Sequence, residues 1–398
     1  MNSLRDIVES SPQLRKLAMG RVVDADRGAD SDEFSDLNAD PQPLGPARWD
    51  WKTVGRVLVV RLRSIGDTVL ATPSLFALKR FLPHAAIDIL VEDWVAPVLE
   101  GHPYIDNVIT VAKGRAASRA LVARRLRTNR YDVVYNLHGG TTATLLTRAT
   151  GAKHRVGFET YQYAWLHSHL SPSSSALWRR DNTHSAEQQL ALLGWTGVPV
   201  SDRPRTLLAV TAEAAAAVTA KLRKAGLGDT PFVVVHPAAA FATKQWAAEN
   251  FGQVARALSE QNLPVVVITT PSQTSTVAAL QRSASAAVVS FDDLSLPEIT
   301  ALLARARLFV GNDSGIAHMA AAVETPSVVI FGSSNTAHWR PWVSDAPGSA
   351  AEIVYEEMEC QPCHGYFCEK FDLPECILRV PVNRVMAAIE RVLRESAR

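Results

Sequence analysis

From Arg56 onward this chain alternates short runs of aliphatic and β-branched residues with longer helix-forming segments, and no other feature narrows its possible folds as much. The first runs, at 57–60, 86–91, 107–111 and 132–136, read as buried strands. Helix patterns lie at 72–81, where Pro73 suits a first turn, around 96–100, at 116–127 and at 141–149. A Ser-rich loop at 171–175, a helix at 184–195 and a connector at 198–206 lead to a second alternation. Its strands are 232–235, 265–269, 287–290, 308–310 and 328–331, and its helices are 250–259, 274–282, 297–305 and 316–323. Ser295 and Glu298 frame Pro297 as a capping box, and a closing helix is expected at 382–395. Parallel strands need a crossover between them, usually a helix. The pattern therefore predicts an α/β fold with two doubly wound parallel sheets facing across a cleft.

At 398 residues the chain exceeds one ordinary core and suits two such lobes plus extras. Residues 1–22 carry an apolar side of Leu4, Ile7, Val8, Leu14, Leu17 and Ala18, with Pro12 set to break or kink a helix. Residues 24–50 are Asp- and Pro-rich, like a linker or surface strap. The expected divisions are 1–50, 51–200, 205–345 and a C-terminal 346–398 that holds the cysteines and the last helix. A formal net charge of +1 points to no partner by itself. No apolar run approaches the roughly 20 residues that span a bilayer. Glu9 and its polar neighbours stand where a secretory signal needs an apolar core, so a cytoplasmic protein is expected.

The most telling segment for function is Gly311-Asn312-Asp313-Ser314-Gly315-Ile316-Ala317-His318. It leaves a buried strand and runs directly into a small-residue helix that Thr325-Pro326 stops. Open α/β sheets bind ligands at the carboxyl ends of their strands. A helix start offers unpaired N–H groups and partial positive charge to a phosphate. Asp313 is ill-suited to touch phosphate and fits sugar hydroxyls or the ordering of the turn. Phosphate and sugar held together suggest a nucleotide-sugar enzyme.

The first strand runs into Arg61-Leu62-Arg63-Ser64-Ile65-Gly66-Asp67-Thr68. One glycine is too few for the dinucleotide fingerprint, which argues against NAD or FAD. What remains is Asp67 at the carboxyl edge of that strand, either a general base facing the cleft or a cap on the next helix. In the second half, His236 to Trp246 set Thr243 and Lys244 after another strand. A hydroxyl and an ammonium there suit phosphate oxygens, and a solvated turn is the plainer reading.

Taken in order, these segments resemble the heptosyltransferases of glycosyltransferase family 9. The resemblance rests on Arg61 to Asp67, Asp93-Trp94 with Pro103-Tyr104-Ile105-Asp106, Thr243-Lys244-Gln245-Trp246, Gly311 to His318, and Phe331-Gly332 with Trp339-Arg340-Pro341-Trp342. It covers roughly residues 55–395. It implies a GT-B fold of two Rossmann-like domains, with the acceptor bound mainly by 51–200 and the nucleotide sugar, usually ADP-L-glycero-D-manno-heptose, mainly by 205–345. It also implies inversion at the anomeric carbon without a catalytic metal or cofactor, and a lipopolysaccharide core or related glycan, free or lipid-linked, as acceptor. Residue by residue, Asp67 matches the family's catalytic base. Thr243, Lys244, Asp313, Ser314, Gly315 and His318 fall on the donor side, and Arg61, Arg63, Ser64 and Gly66 on the acceptor side. Family members often have glycine and a ribose-binding acid after the strand that ends here at Thr269. This chain has Thr270-Pro271-Ser272-Gln273 instead, so Gln273 is the expected ribose contact. Ala238 replaces the family's usual glycine after His236-Pro237. A nucleotide-sugar epimerase of the same architecture and a non-catalytic sugar-nucleotide-binding protein are the alternatives.

Cys360, Cys363, Cys368 and Cys376 are spaced for a four-thiolate structural zinc or iron site, with free thiols or two disulfides as alternatives. Lys113, Arg115, Arg119, Arg124, Arg125, Arg127 and Arg130 concentrate positive charge. That charge suits anionic lipid headgroups at the inner face of the cell membrane, a phosphorylated or carboxylated acceptor, or simple solvation. No nucleic-acid recognition motif accompanies it.

Overall fold

The computed structural model describes residues 40–285, 288–343, 350–363 and 366–396. The helix expected within 1–22 and the first part of the expected strap lie outside the described residues. The first lobe runs β1 (Arg56–Val60), α1 (Ile65–Val69), α2 (Thr72–Phe81), β2 (Ala86–Glu92), β3 (Asn107–Val111), α3 (Ala116–Thr128), β4 (Val133–Asn136), α4 (Thr141–Ala149), β5 (His154–Phe158) and β6 (His169–Ser171). Two helices, α5 (Ser174–Trp178) and α6 (Ser185–Gly194), complete it. The second lobe begins with α7 (Ala212–Lys224), β7 (Val233–His236), α8 (Ala248–Glu260), β8 (Val265–Ile268), α9 (Thr274–Ala284), β9 (Val289–Phe291) and α10 (Leu296–Arg305). It ends with β10 (Leu308–Asn312), α11 (Gly315–Ala322), β11 (Ser327–Phe331), α12 (Thr336–Trp339), β12 (Ala351–Tyr355), α13 (Glu375–Leu378) and α14 (Val382–Glu395).

Among the described residues there are two separate parallel sheets of six strands, ordered β3-β2-β1-β4-β5-β6 and β12-β11-β10-β7-β8-β9. The central strands are buried along nearly their whole length, as strands covered on both faces must be: Val57, Leu58, Val59 and Val60 in β1, and all five residues of β10. In each sheet the strand order reverses beside one strand, next to β1 in the first and next to β7 in the second. Loops leave those neighbouring strands in opposite directions and open a crevice at their carboxyl ends. Asp67 follows β1, Lys244 follows β7 and Asp313 follows β10, so all three sit at these crevices.

The closing helix α14 buries Val385, Ala388, Ile389 and Val392, an i, i+3, i+4, i+7 stripe, against β11 and β12. Each fully buried Val or Ile there contributes about 1.5–3 kcal/mol. The part of the expected strap that is described is tied down. The Leu44 amide donates to the Gly194 carbonyl at 3.0 Å and the Trp51 indole to that of Thr196 at 3.1 Å. The Arg48 guanidinium lies 4.3 Å above the Trp195 ring.

Helices α2, α4 and α14 and strand β3 occupy the ranges read from the sequence. The segment around 96–100 is a short 3-10 turn, Ala96–Leu99. Helix α7 and strands β5, β6 and β12 are additions to that reading. Helix α7 is alanine-rich and buries only Ala214, Val218 and Leu222, so its apolar stripe is faint. Its better signals are the Thr211 cap, Glu213 in the first turn and Lys221, Arg223 and Lys224 in the last. No helix among the described residues is long and apolar enough to cross a membrane.

The lobes are joined where the Trp339–Trp342 segment returns to the first one. Thr206 donates its hydroxyl to the Trp342 carbonyl, and the Trp342 indole donates to that of Pro204, both at 2.9 Å. His184 Nδ1 accepts the Ala186 amide at 3.1 Å, so the proton sits on Nε2, which donates to the Arg340 carbonyl at 2.7 Å.

Candidate active site

The loop after β1 turns into α1 with Ser64 as N-cap and Asp67 three residues on, a reciprocal capping box. The Ser64 amide and hydroxyl donate to Asp67 Oδ2 at 3.3 and 3.1 Å. Arg61 donates one guanidinium nitrogen to Asp67 Oδ1 and another to the Leu137 carbonyl. Asp67 is therefore a cap, and it also lines the cleft. A carboxylate offers about four lone-pair sites. Arg61 and the two Ser64 groups occupy three of them, which leaves one for an incoming hydroxyl.

On the opposite lobe Lys244 Nζ donates to Asp313 Oδ2 at 2.8 Å, and the Ser334 hydroxyl donates to the same oxygen at 2.5 Å. Buried Asn312 holds the facing loop. Its amide donates to the Pro237 carbonyl at 2.8 Å while its oxygen accepts the Trp246 amide at 3.1 Å. Ser314 precedes α11 without a side-chain cap bond, and its buried Oγ has no partner among the described residues. The start of α11 thus has no side-chain cap, and Ser314, Gly315 and Ile316 border the cleft.

His318, in the first turns of α11, is buried, and that burial lowers its pKa; Asp313 and Asp67 pull it up and Lys244 pushes it down. Both carboxylates are near enough for their charges to act on the ring. Its Nδ1 has no partner among the described residues.

Asp67, Ser64, Gly66, Lys244, Gln273, Asp313, Ser314, Gly315 and His318 all line one cavity of about 650 Å³ between the lobes. The structure brings these expected residues together and leaves others aside. Thr243 is buried at 1% exposure, and its hydroxyl oxygen accepts from Ser333 at 3.0 Å rather than facing the cavity. The reason is local: the 3-10 turn Ala242–Lys244 directs Lys244 outward and Thr243 inward. Arg61 and Arg63 are absent from the cavity wall; Arg61 braces Asp67 instead, and Arg63 is exposed. Gln273 is on the wall, with its side-chain oxygen accepting the Thr270 amide at 3.0 Å.

Three contributors were not singled out from the sequence. Ser334 bonds Asp313. Asp292, after β9, lines the cavity. His138, after β4, sits close enough to Arg61, Arg63 and Asp67 to feel their charges, and burial first, then the two arginines, push it down to about 4. Only Ser334 had a sequence signal, a polar run after a buried strand.

The expected zinc or iron site at the cysteines is not supported among the described residues. All four are free thiols, which also sets the disulfide alternative aside. Among the described residues no group of three or more His, Cys, Asp or Glu is arranged to hold a metal ion. Burial, then the neighbouring Cys363, Cys360 and Cys368, push the Cys376 thiol up to about 11. What the segment does is pack. Cys363 donates its amide to the Ser333 carbonyl at 3.0 Å, and Gln361 its side-chain amide to that of Gly332 at 2.6 Å. The seven cations from Lys113 to Arg130 are all exposed.

Known proteins share this fold. The family model for glycosyltransferase family 9 (heptosyltransferase) matches residues 119–370. Lipopolysaccharide heptosyltransferase 3 of Escherichia coli is 29% identical over 364 residues, spanning 84% of this chain and 98% of that protein. The crystal structure of a glycosyl transferase family 9 protein from Veillonella parvula DSM 2008 superposes with a TM-score of 0.73 at 22% identity, covering 86% of this chain and 98% of that one. The E. coli ADP-heptose lipopolysaccharide heptosyltransferase II structure gives a TM-score of 0.69 at 19% identity, covering 86% and 100%. The structural likenesses carry the fold, GT-B, and the family match extends over more than half of the sequence. A two-lobed chain with a phosphate-suited helix start on one side and a cleft-facing carboxylate on the other thus belongs to glycosyltransferase family 9, the heptosyltransferases.

Proposed function

We propose that this glycosyltransferase transfers heptose from ADP-heptose to a hydroxyl of a lipopolysaccharide core or related glycan, with inversion and without a catalytic metal. The observation that carries the reading is that Asp67 and the Lys244–Asp313 pair line one cavity from facing lobes. The relatives' names, an ADP-heptose lipopolysaccharide heptosyltransferase and a lipopolysaccharide heptosyltransferase, support the donor and acceptor classes.

In the step, the acceptor hydroxyl gives its proton to Asp67 as its oxygen bonds to the anomeric carbon. The bond from that carbon to the diphosphate oxygen breaks on the opposite face, and the departing ADP takes the electron pair. The Lys244 ammonium and the N–H groups at the start of α11 meet its charge, a task a metal performs elsewhere. Attack and departure on opposite faces invert the centre. Asp313 and Gln273 serve the hydroxyls of donor sugar and ribose. Arg61 and Ser64 hold the base in position, and Gly66 lets the two lobes approach.

Asp67→Asn keeps the shape and removes the proton acceptor, so turnover should fall about 10²–10⁴-fold while calorimetric affinity for ADP-heptose stays close to wild type. Near-wild-type turnover in that variant sinks the assignment of the base. Isomerised sugar from donor alone, with no glycosylated product, replaces the transferase reading with an epimerase.

The reading extends to place. The exposed cations on α3 flank Leu121, itself 71% exposed, a combination suited to the anionic inner face of a membrane that presents a lipid-linked acceptor. Vesicles containing phosphatidylglycerol should sediment the protein and phosphatidylcholine vesicles should not; equal behaviour with both removes this part.

A further inference from the structure

We propose that Asp292 selects the nucleoside of the donor by accepting hydrogen bonds from the two ribose hydroxyls. The inference rests on the transferase reading above and deepens it. Among the described residues, three carboxylates line the cavity between the lobes, those of Asp67, Asp292 and Asp313. Arg61 and Ser64 hold the first, and Lys244 and Ser334 hold the third. Asp292 is exposed, and among the described residues its carboxylate has no hydrogen-bond or ion-pair partner. Its neighbour Asp293 is bound by Lys221 at 3.0 Å.

The cavity reaches Asp292 along the edge of the second sheet. Lys244 follows β7, and the next strands outward are β8 and β9. Thr269, Thr270 and Gln273 after β8 and Asp292 after β9 all line the wall. The two strands pair in register up to Ile268 and Phe291, so their loops leave side by side. Neighbouring strands lie about 4.8 Å apart, which sets β9 about 10 Å from β7. A nucleoside diphosphate with its charged end at Lys244 therefore lays ribose and base over these loops.

The groups there fit a ribose beside a base. Ile268, Leu294, Leu296 and Ile299 give the wall an apolar stretch for a flat ring. Gln273 Oε1 is taken by the Thr270 amide at 3.0 Å, which leaves the side chain a donor through Nε2. Thr269 Oγ1 is buried without a partner among the described residues, a hydroxyl on the same wall with its bonds still to make. Each ribose hydroxyl both donates and accepts. Gln273 supplies a donor to one of their oxygens; the two hydroxyl protons still need acceptors, and Asp292 is an acceptor-only group with both oxygens open. Both protons of a vicinal diol can rotate toward one carboxylate. An adenine edge suits it less, because a ring nitrogen with its lone pair stands beside the amino hydrogens.

The test is calorimetric titration of the full-length protein with ADP, 2′-deoxy-ADP and 3′-deoxy-ADP, on wild type, Asp292→Ala and Asp292→Asn. Wild type should bind ADP about tenfold more tightly than either deoxy form, the lower end for a hydrogen bond to a charged group. Asp292→Ala should lose about tenfold or more in ADP affinity and bind all three ligands alike. Asp292→Asn keeps one acceptor and should fall between. Thermal melts without ligand should coincide, since the Asp292 side chain has no partner to lose, and so separate lost binding from lost folding. A deoxy penalty that persists in Asp292→Ala overturns the proposal, and so does equal ADP binding by that variant and wild type. Inosine diphosphate carries an oxygen in place of the 6-amino group. A variant that stops distinguishing it from ADP while keeping the ribose penalty moves Asp292 to the base and overturns the ribose assignment. UDP and GDP share the ribose, so a preference for either over ADP counts against the ADP-heptose donor alone, and the penalty is then read on the deoxy forms of the preferred nucleotide. A wild type that shows the penalty but transfers no heptose likewise counts only against the proposed function.

Discussion

Gly66 and Gly315 meet across the cleft. A Cβ placed on Gly315 would lie 2.9 Å from Ile65 Cβ and 3.1 Å from the Gly66 nitrogen, and one placed on Gly66 would lie 2.7 Å from His318 Cδ2. The starts of α1 and α11, one carrying the carboxylate and the other the phosphate-suited N–H groups, are in direct contact through these two residues. Neither glycine is there for a left-handed backbone; each is there because a methyl group would wedge the lobes apart.

Gly315→Ala should therefore cost activity far more than stability. A displacement of a few tenths of an ångström to 1 Å between base and donor lowers kcat/KM by about 10–10²-fold. The melting temperature should move little, because the added methyl lies at a lobe contact and not within either sheet. Steady-state kinetics beside a thermal melt decide this. Retained activity means that the closed contact between Gly66 and Gly315 is not the catalytic arrangement.

Lys244→Ala should weaken ADP and ADP-heptose binding by roughly 10–10²-fold, the range for losing one charge-assisted contact. Asp313 would then keep Ser334 as its side-chain donor while only 6% exposed, so a modest loss of stability should accompany the loss of affinity. Lys244→Arg keeps the charge but not the point-like geometry and should recover part of the binding. Calorimetry on the three proteins measures both effects. Wild-type affinity in the alanine variant removes the phosphate role of Lys244.

Stability should fall as the solution is acidified below the usual histidine range. His184 is held down to about 3 by burial, against an ordinary value of 6.5. Burial likewise holds His102 and His138 near 4. Below 6.5 the unfolded chain binds protons that the folded one refuses, so the stability these groups confer is complete above 6.5 and is lost as pH falls toward 4 and then 3. Each contributes up to about 1.4 kcal/mol per pH unit in that window. Urea unfolding at neutral pH and near pH 5 should show the drop, and His184→Gln should reduce its slope. An unchanged unfolding free energy between the two conditions contradicts this account of the buried imidazoles.

The alternation of strands and helices was legible because its driving force is local: a run such as Val57-Leu58-Val59-Val60 has no stable place except a strand covered on both faces. The candidate site was legible in part for the same reason. Asp313 and Lys244 each follow a buried strand, and the carboxyl ends of such strands face the crevice wherever the sheet goes. Strands β5, β6 and β12 were passed over because they are outer or short strands whose pairing is with a neighbour rather than with their own pattern. The cysteine spacing suggested a metal site, yet spacing along a chain does not fix how side chains come together; among the described residues no group of three or more is arranged to hold a metal ion, and the Cys363 amide and Gln361 side chain bond the Ser333 and Gly332 carbonyls.

By itself, then, the amino-acid order determined two doubly wound lobes, the turns that punctuate them and the polar residues at their strand ends. The tertiary structure alone decided which of those residues act together. It turned Thr243 inward and Lys244 outward, bound Arg61 to Asp67, paired Lys244 with Asp313 across 69 positions of chain, and brought Asp292 to the wall of the same cavity. Local sequence governs backbone conformation over a few residues, whereas a contact between distant segments depends on how sheets and helices pack, and that is a property of the whole fold.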